Sequence, residues 1–315
     1  MCAPGPERAV VDPRPDAVRS GSGFPDPFAT GSPGVAAREG SADAAAVVGT
    51  GVVTPLVLIR RGIIVAMAII MARSSDRPEL WAETNEISEE VWPEYNLHGA
   101  VLGRFWGRLR DELPDFQFVL YDDERNEVLA EGHTAPCPWD GTVKGLGAGI
   151  DEMITTAFGA LDAGARPTAL CALAAEIRPQ FQGLGLANRI LDVMSDLARD
   201  AQLSSLIAPV RPSWKDRYPL TPIEHYVEWT REDGQPFDPW IRVHTRRGGI
   251  ISKPVAESML IDGTVAEWEQ WTGMRFPGDG MYTFPSGLAP LHIDRTQDLG
   301  SYSEPNVWIV HTLET

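Results

Sequence analysis

The sequence predicts an α/β fold, and three observations carry that prediction. Strand-like and helix-like apolar patterns alternate through most of the chain. Residues 168–177 form a nearly unbroken apolar run that ends before Pro179, which suits a strand buried on both faces. Leu186, Ile190, Leu191, Met194, Leu197 and Ala198 then recur at helical spacing, with Asn188, Arg189, Asp192, Asp196 and Arg199 opposite, before a second apolar strand at 206–210.

From the N-terminus, residues 1–43 are rich in Pro, Gly, Ala and Ser without an apolar period. Such a segment cannot bury enough surface to offset its ordering entropy and is expected to be disordered. Residues 52–59 and 62–71 are apolar, but Arg60 and Arg61 divide them into pieces shorter than the roughly 18–20 residues of a membrane span, so no membrane segment is expected. Composition changes abruptly near Met67 and Met71, which marks 1–70 as a disordered or mis-started leader and 71–315 as the folded domain.

Within that domain, 88–113 reads as a helix, 116–121 and 127–133 as two strands joined by the turn 122–126, and 150–161 as a short helix. The stretch 134–149 contains Pro136, Pro138 and several glycines and reads as a loop. Residues 211–315, rich in tryptophan and proline, read as a long loop and then α/β elements, with a C-terminal extension from about 255.

Formal charge is −17, and the six basic and six acidic residues of 1–70 cancel, so the whole excess belongs to 71–315. That field repels phosphate backbones, and no run of Lys or Arg opposes it, which argues against nucleic acid and favours a cationic substrate such as an amine. Cys2, Cys137 and Cys171 fit neither a disulfide framework nor a zinc ligand set, so a reducing cytoplasm is the expected location. No His-x-x-x-His pair and no Gly-x-Ser-x-Gly elbow occurs, so metal and serine-hydrolase chemistry is not expected.

The turn between the buried strand and the amphipathic helix, 179–187, carries Gly183 and Gly185. Glycines there let the backbone turn sharply, and free amides at a helix start, with the positive end of its dipole, suit a phosphate. Position 188 is Asn, so the third glycine of the dinucleotide fingerprint is missing, and no Gly-Lys-Ser/Thr of a P-loop occurs. What fits is Gln/Arg-x-x-Gly-x-Gly/Ala, met by Gln182, Gly185 and Ala187 after an apolar strand and Pro179. This pattern resembles the acyl-CoA site of the GNAT N-acyltransferases, over about residues 79–255 and most firmly over 168–210.

The resemblance implies a mixed, splayed sheet flanked by helices and acetyl-CoA as co-substrate. It implies that the amides of Gly183, Leu184, Gly185, Leu186 and Ala187 hold the CoA pyrophosphate, while the strand end at Ala175 and Ile177 pairs with the pantetheine arm. The early strand positions where many members place a base glutamate are Thr168, Ala169 and Leu170 here, and Glu176 is the one carboxylate of that strand. Glu176 is therefore the candidate base, directly or through water, although Arg178 is available to pair with it. The family's acid is a tyrosine about four residues before a strand-opening glycine; His244 takes its place here, and Tyr218 or Tyr226 could serve instead. The expected activity is acetyl transfer to the amine of a small molecule, an apolar or aromatic one if the tryptophans line the acceptor pocket. Decarboxylation of a malonyl thioester and non-catalytic acyl-CoA sensing remain alternatives.

Overall fold

The structure, a computed structural model, describes residues 54–60, 63–82 and 84–314. The segment 1–53, most of the expected leader, lies outside the described residues.

Two strands, β1 (Thr54–Arg60) and β2 (Ile63–Arg73), open the fold and pair antiparallel. Position 70, where composition placed the end of the leader, therefore falls inside a strand; β2 pairs onward with β3 (Gln117–Asp122) through Ile69 and Asp122. The apolar stretch from Ile63 onward is the second strand of the sheet, between β1 and β3.

The single helix expected over 88–113 is two helices, α1 (Thr84–Val91) and α2 (Ala100–Glu112). Pro93 is the cause: it has no N–H for the helical ladder, and it disfavours helical backbone at Trp92 before it. The break bends Trp92 and Asn96 toward the cavity described below.

Strand β4 (Glu127–Cys137) runs four residues further than expected, with Pro136 opposite Leu170 of β5 (Ala169–Ile177). The loop 134–149 is thus strand at its start, and α3 (Ile150–Asp162) follows it. Helix α4 (Leu186–Asp200) buries Leu186, Ile190, Leu191, Met194 and Leu197, the apolar stripe of the sequence pattern, and leads to β6 (Ser205–Val210).

The chain then runs through α5 (Ile223–Tyr226), α6 (Pro239–Arg246), β7 (Ile250–Gly263), α7 (Val265–Thr272), β8 (Gly280–Tyr282), β9 (Leu291–Asp294) and β10 (Leu299–Thr312). Strand β10 lies between β6 and β7 and pairs antiparallel with both. The boundary expected at about 255 falls within β7, and β10 of the C-terminal residues pairs with both β6 and β7.

In sheet order the path is β1-β2-β3-β4-β5-β6-β10-β9-β8, with β7 on the other edge of β10. All of these pairs are antiparallel except β5 with β6, which run parallel and touch only at Leu170–Leu206 and Cys171–Ile207. Beyond those two pairs the strands diverge, giving the mixed, splayed sheet. Pro209 sits on β6 just past the divergence, an edge position of the kind prolines occupy. One apolar cluster joins α4 to Phe118, Leu120, Leu129 and Leu206. Another joins α2, α3 and α7 to residues of β4, β5, β7 and β10, so the sheet is covered on both faces and the cleft between β5 and β6 is held open from both sides.

Candidate active site

The divergence of β5 from β6 opens a cavity of about 730 Å³. Residues 172–177 of β5 and 208–210 of β6 form its two edges, and α4 and α6 contribute Ala187, Leu191, Trp240 and His244. Because β5 has lost its neighbour there, its backbone on that side has no strand to pair with. An extended amide-bearing ligand can supply the partner.

The turn at the end of β5 is built for close approach. Gly183 and Gly185 have φ of 77° and 83°, in the left-handed region that side chains with a Cβ resist. A Cβ on Gly185 would meet nothing within 4 Å, so space as well as backbone is open in front of α4. The amides of residues 183–187 precede the first hydrogen bonds of α4, which reach back to the Gly185 carbonyl from Asn188 and Arg189. They remain as donors at the positive end of a 15-residue helix, an arrangement that fits a pyrophosphate. Gln182 lines the cavity, but its side-chain amide donates to the Ile177 carbonyl at 3.2 Å and so fixes the turn. Ala175, Ile177 and Ala187 also line the cavity.

Glu176 is fully buried and faces the cavity. Its expected partner, Arg178, instead pairs with Glu90 of α1 at 3.0 Å. Ser88 Oγ donates to Glu176 Oε2 at 2.8 Å, while Oε1 accepts nothing among the described residues. Burial and the facing Glu131 carboxylate raise its pKa to about 7, against the smaller opposing effects of His133, Trp92 and Ser88.

Glu131 and Glu176 are register partners across β4 and β5, and His133 lies two residues along on the same face as Glu131. His133 Nε2 stands 3.1 Å from Glu131 Oε2, and its Nδ1 stands 3.1 Å from Gln117 Oε1. Burial alone would push the imidazole pKa down; Glu131 and Glu176 more than reverse it, so the ring is held above its ordinary value. The donor atoms of Glu131, His133 and Glu176 lie within 4.8 Å of one another, a group of the size that can hold a metal ion. Their hydrogen-bond roles also suit a shared proton. Gln117 Nε2 donates to the carbonyls of Leu113 and Thr134, so its Oε1 must accept from His133 Nδ1–H, and the Nε2 to Glu131 contact then requires a proton between the two.

His244 lines the same cavity from α6 and is 1% exposed. Burial and the neighbouring His311 hold its pKa well below the ordinary value, so the ring is neutral at pH 7 and is not a standing acid. Its Nδ1 lies 3.0 Å from His311 Nε2. Helix α6 is fixed by Asp238, whose carboxylate accepts from the amides of Trp240 and Ile241 and from Tyr226 Oη at 2.9 Å.

Tyr218 is not part of the cavity lining. It packs edge-on against Trp229 and Phe237 and beside Tyr226, within the loop between β6 and α6. Tyr226 is buried and committed to Asp238, so neither tyrosine is placed to protonate a ligand in the cavity. The far end of the cavity is polar: Glu304 accepts from Arg211 and from Asn96, and Asn306, Ser213 and Arg217 also line it. The sequence singled out none of these, nor Glu131, His133 and His311. Glu131 and His133 did leave a signal, two polar groups on one face of an otherwise apolar strand.

No family model matches the chain. It is similar to the arginine N-acetyltransferase avaD of Aspergillus versicolor, with 30% identity over 252 residues that span 71% of this chain and 86% of that protein. Among solved structures, the loading GNATL domain of CurA from Lyngbya majuscula is similar at 15% identity and a TM-score of 0.48, over 78% of this chain and 97% of that one. The GNAT-like decarboxylase GphF, solved with isobutyryl-CoA, is similar at 17% identity and a TM-score of 0.45, over 78% of this chain and 99% of that one. Likeness to the acetyltransferase along most of both sequences, joined to a sheet that splays beside an amide-lined turn, establishes that this chain belongs to the GNAT N-acyltransferase superfamily and is an acyl-CoA-dependent enzyme of it.

Proposed function

We propose that the enzyme transfers the acetyl group of acetyl-CoA to the amine of a small cationic molecule, with arginine the first acceptor to test. The observation that carries this reading is Glu176: a buried carboxylate with a pKa near neutrality, on the same cavity as the amide turn. The acidic balance of the folded part and Glu89 at the cavity favour a cation. Arginine, for which the similar enzyme of Aspergillus versicolor is named, is of that kind.

An amine arrives protonated and must lose a proton before it can attack. Glu176 accepts that proton. The free amine then attacks the thioester carbon, the C–N bond forms and the C–S bond breaks, and the sulfur leaves as a thiolate that needs a proton. The amides of residues 183–187 and the open edge of β5 hold the acyl donor in place, so that catalysis is positioning together with proton transfer. His244 serves the later transfer to sulfur. No metal takes part in this reading. The buried free thiols of Cys137 and Cys171 are in keeping with a reducing cytoplasm, and among the described residues no helix is long and apolar enough to cross a membrane.

The test is to follow CoA thiol release and acetylated product with arginine, its decarboxylated analogue and an arylalkylamine. Equal amounts of thiol and acetylated cation, lost in a Glu176→Gln variant, support the reading. Thiol release without acetylated product from any of them, or preference for the arylalkylamine, which carries no guanidinium, refutes it.

A further inference from the structure

We propose that His244 and His311 work as one proton store, in which His311 is the positioning residue that keeps the His244 Nε2 lone pair turned to the cavity and shares the proton it takes up. This rests on the acyltransferase reading above.

The two rings join separate spaces. His244 lines the main cavity, and its buried Nε2 has no hydrogen-bond partner among the described residues. His311, on β10, lines a second pocket of about 390 Å³ on the far side of α4 and α6. Gly249 makes the contact between them possible: a Cβ there would come within 2.8 Å of the His244 carbonyl, of His311 Cε1 and of Ile309 Cγ2. Only a residue without a side chain lets the end of α6 lie this close to β10.

Hydrogen-bond roles decide which nitrogen is bare. His244 Nε2 has no partner among the described residues, and an unpaired buried N–H costs more than an unpaired lone pair. The hydrogen of the neutral His244 ring therefore sits on Nδ1, 3.0 Å from His311 Nε2. His311 Nε2 is then an acceptor, His244 Nδ1–H donates to it, and His244 Nε2 keeps its lone pair. The groups around the pair are mixed in charge: burial and then Arg247 disfavour a cation on His311, while Asp192 on α4 pairs with Arg247, Arg199 pairs with Asp196, and Arg246 lies at the pocket rim.

The step balances within the cavity. Once the amine has added to the thioester carbon, its nitrogen gives a proton to His244 Nε2 while the His244 Nδ1 proton moves to His311 Nε2, leaving the positive charge on His311. As the C–S bond breaks, the sulfur takes the proton from His244 Nε2 and His311 returns its own to His244 Nδ1. The proton leaving nitrogen ends on sulfur, the products are amide and free thiol, and both rings are restored.

Nitrogen-15 NMR of the histidine-labelled full chain, alongside kinetics of His311→Gln and His311→Leu, tests this. The spectrum should show neutral His244 protonated at Nδ1; a proton on Nε2 overturns the proposal and needs no variant. A glutamine carbonyl can still accept from His244 Nδ1–H but cannot take up the proton. His311→Gln should therefore lower kcat by roughly tenfold or more with KM for acetyl-CoA unchanged, and His311→Leu at least as much. Wild-type kcat in His311→Gln overturns the sharing. If the wild type transfers no acetyl group to any amine, the acyltransferase reading falls on its own, and the NMR result still decides the tautomer.

Discussion

Gln117 Oε1 lies 3.1 Å from His133 Nδ1, and that contact fixes where the proton sits in the buried group beside the catalytic cavity. With Nδ1–H committed to Gln117, the ring meets Glu131 through Nε2 and keeps a positive charge beside two carboxylates. That charge is what allows Glu176 to titrate near neutrality instead of higher.

Removal of the charge should therefore move the pH profile in a known direction. In His133→Gln, Glu131 and Glu176 face each other without a cation, and like charges raise carboxylate pKa values. The rise of kcat/KM with pH, expected through about 7 in the wild type because Glu176 must be ionised, should shift upward in the variant. A full profile from pH 5.5 to about 9 with each protein checks it; an unmoved or lowered limb contradicts the role given to His133.

Glu176 itself should trade stability for activity. Its folded pKa, about 7, lies above the ordinary 4.5, so its stabilising contribution is complete below 4.5 and is lost as pH rises through 7. Glu176→Gln removes a charge that the wild type must bury above pH 7. Denaturant unfolding at pH 8 should find the variant more stable by about 1–3 kcal/mol, with the advantage absent at pH 4. Acetyl transfer should fall by ~100-fold or more.

Asp238→Ala should loosen the helix that carries His244. Its carboxylate takes hydrogen bonds from the amides of Trp214, Trp240 and Ile241 and from Tyr226 Oη. Losing the cap and leaving buried donors unpaired should cost about 2–4 kcal/mol in unfolding free energy. A Tm within a degree of the wild type would show that α6 is held by packing alone.

Local pattern carried part of this account. The strand at 168–177, the helix after it and the strand at 206–210 appear as β5, α4 and β6 within a residue or two, because an apolar run, a 3.6 period and a glycine turn are each written in consecutive residues. The two-helix break at Pro93 was equally local and could have been read from the proline. What sequence could not give is register. Glu131 meets Glu176 only because β4 and β5 pair as they do, and His311 reaches His244 only because β10 enters the sheet beside β6. The same holds for the C-terminal part, since nothing near residue 255 indicates that a strand some fifty residues later will lie alongside it. Tyr218 looked suited to the acid by residue type, but its aromatic neighbours hold it away from the cavity.

The central claim is that the turn before α4 and the open edge of β5 receive acyl-CoA. Calorimetric titration of the full chain with acetyl-CoA, beside Gly185→Glu, tests it most directly, because the substituted carboxylate would occupy the open space in front of the helix amides and repel the pyrophosphate. The account predicts one molecule of acetyl-CoA bound per wild-type chain and loss of at least ~100-fold in affinity in the variant, which should remain folded by circular dichroism. Undiminished binding in folded Gly185→Glu, or no binding by the wild type, would contradict it.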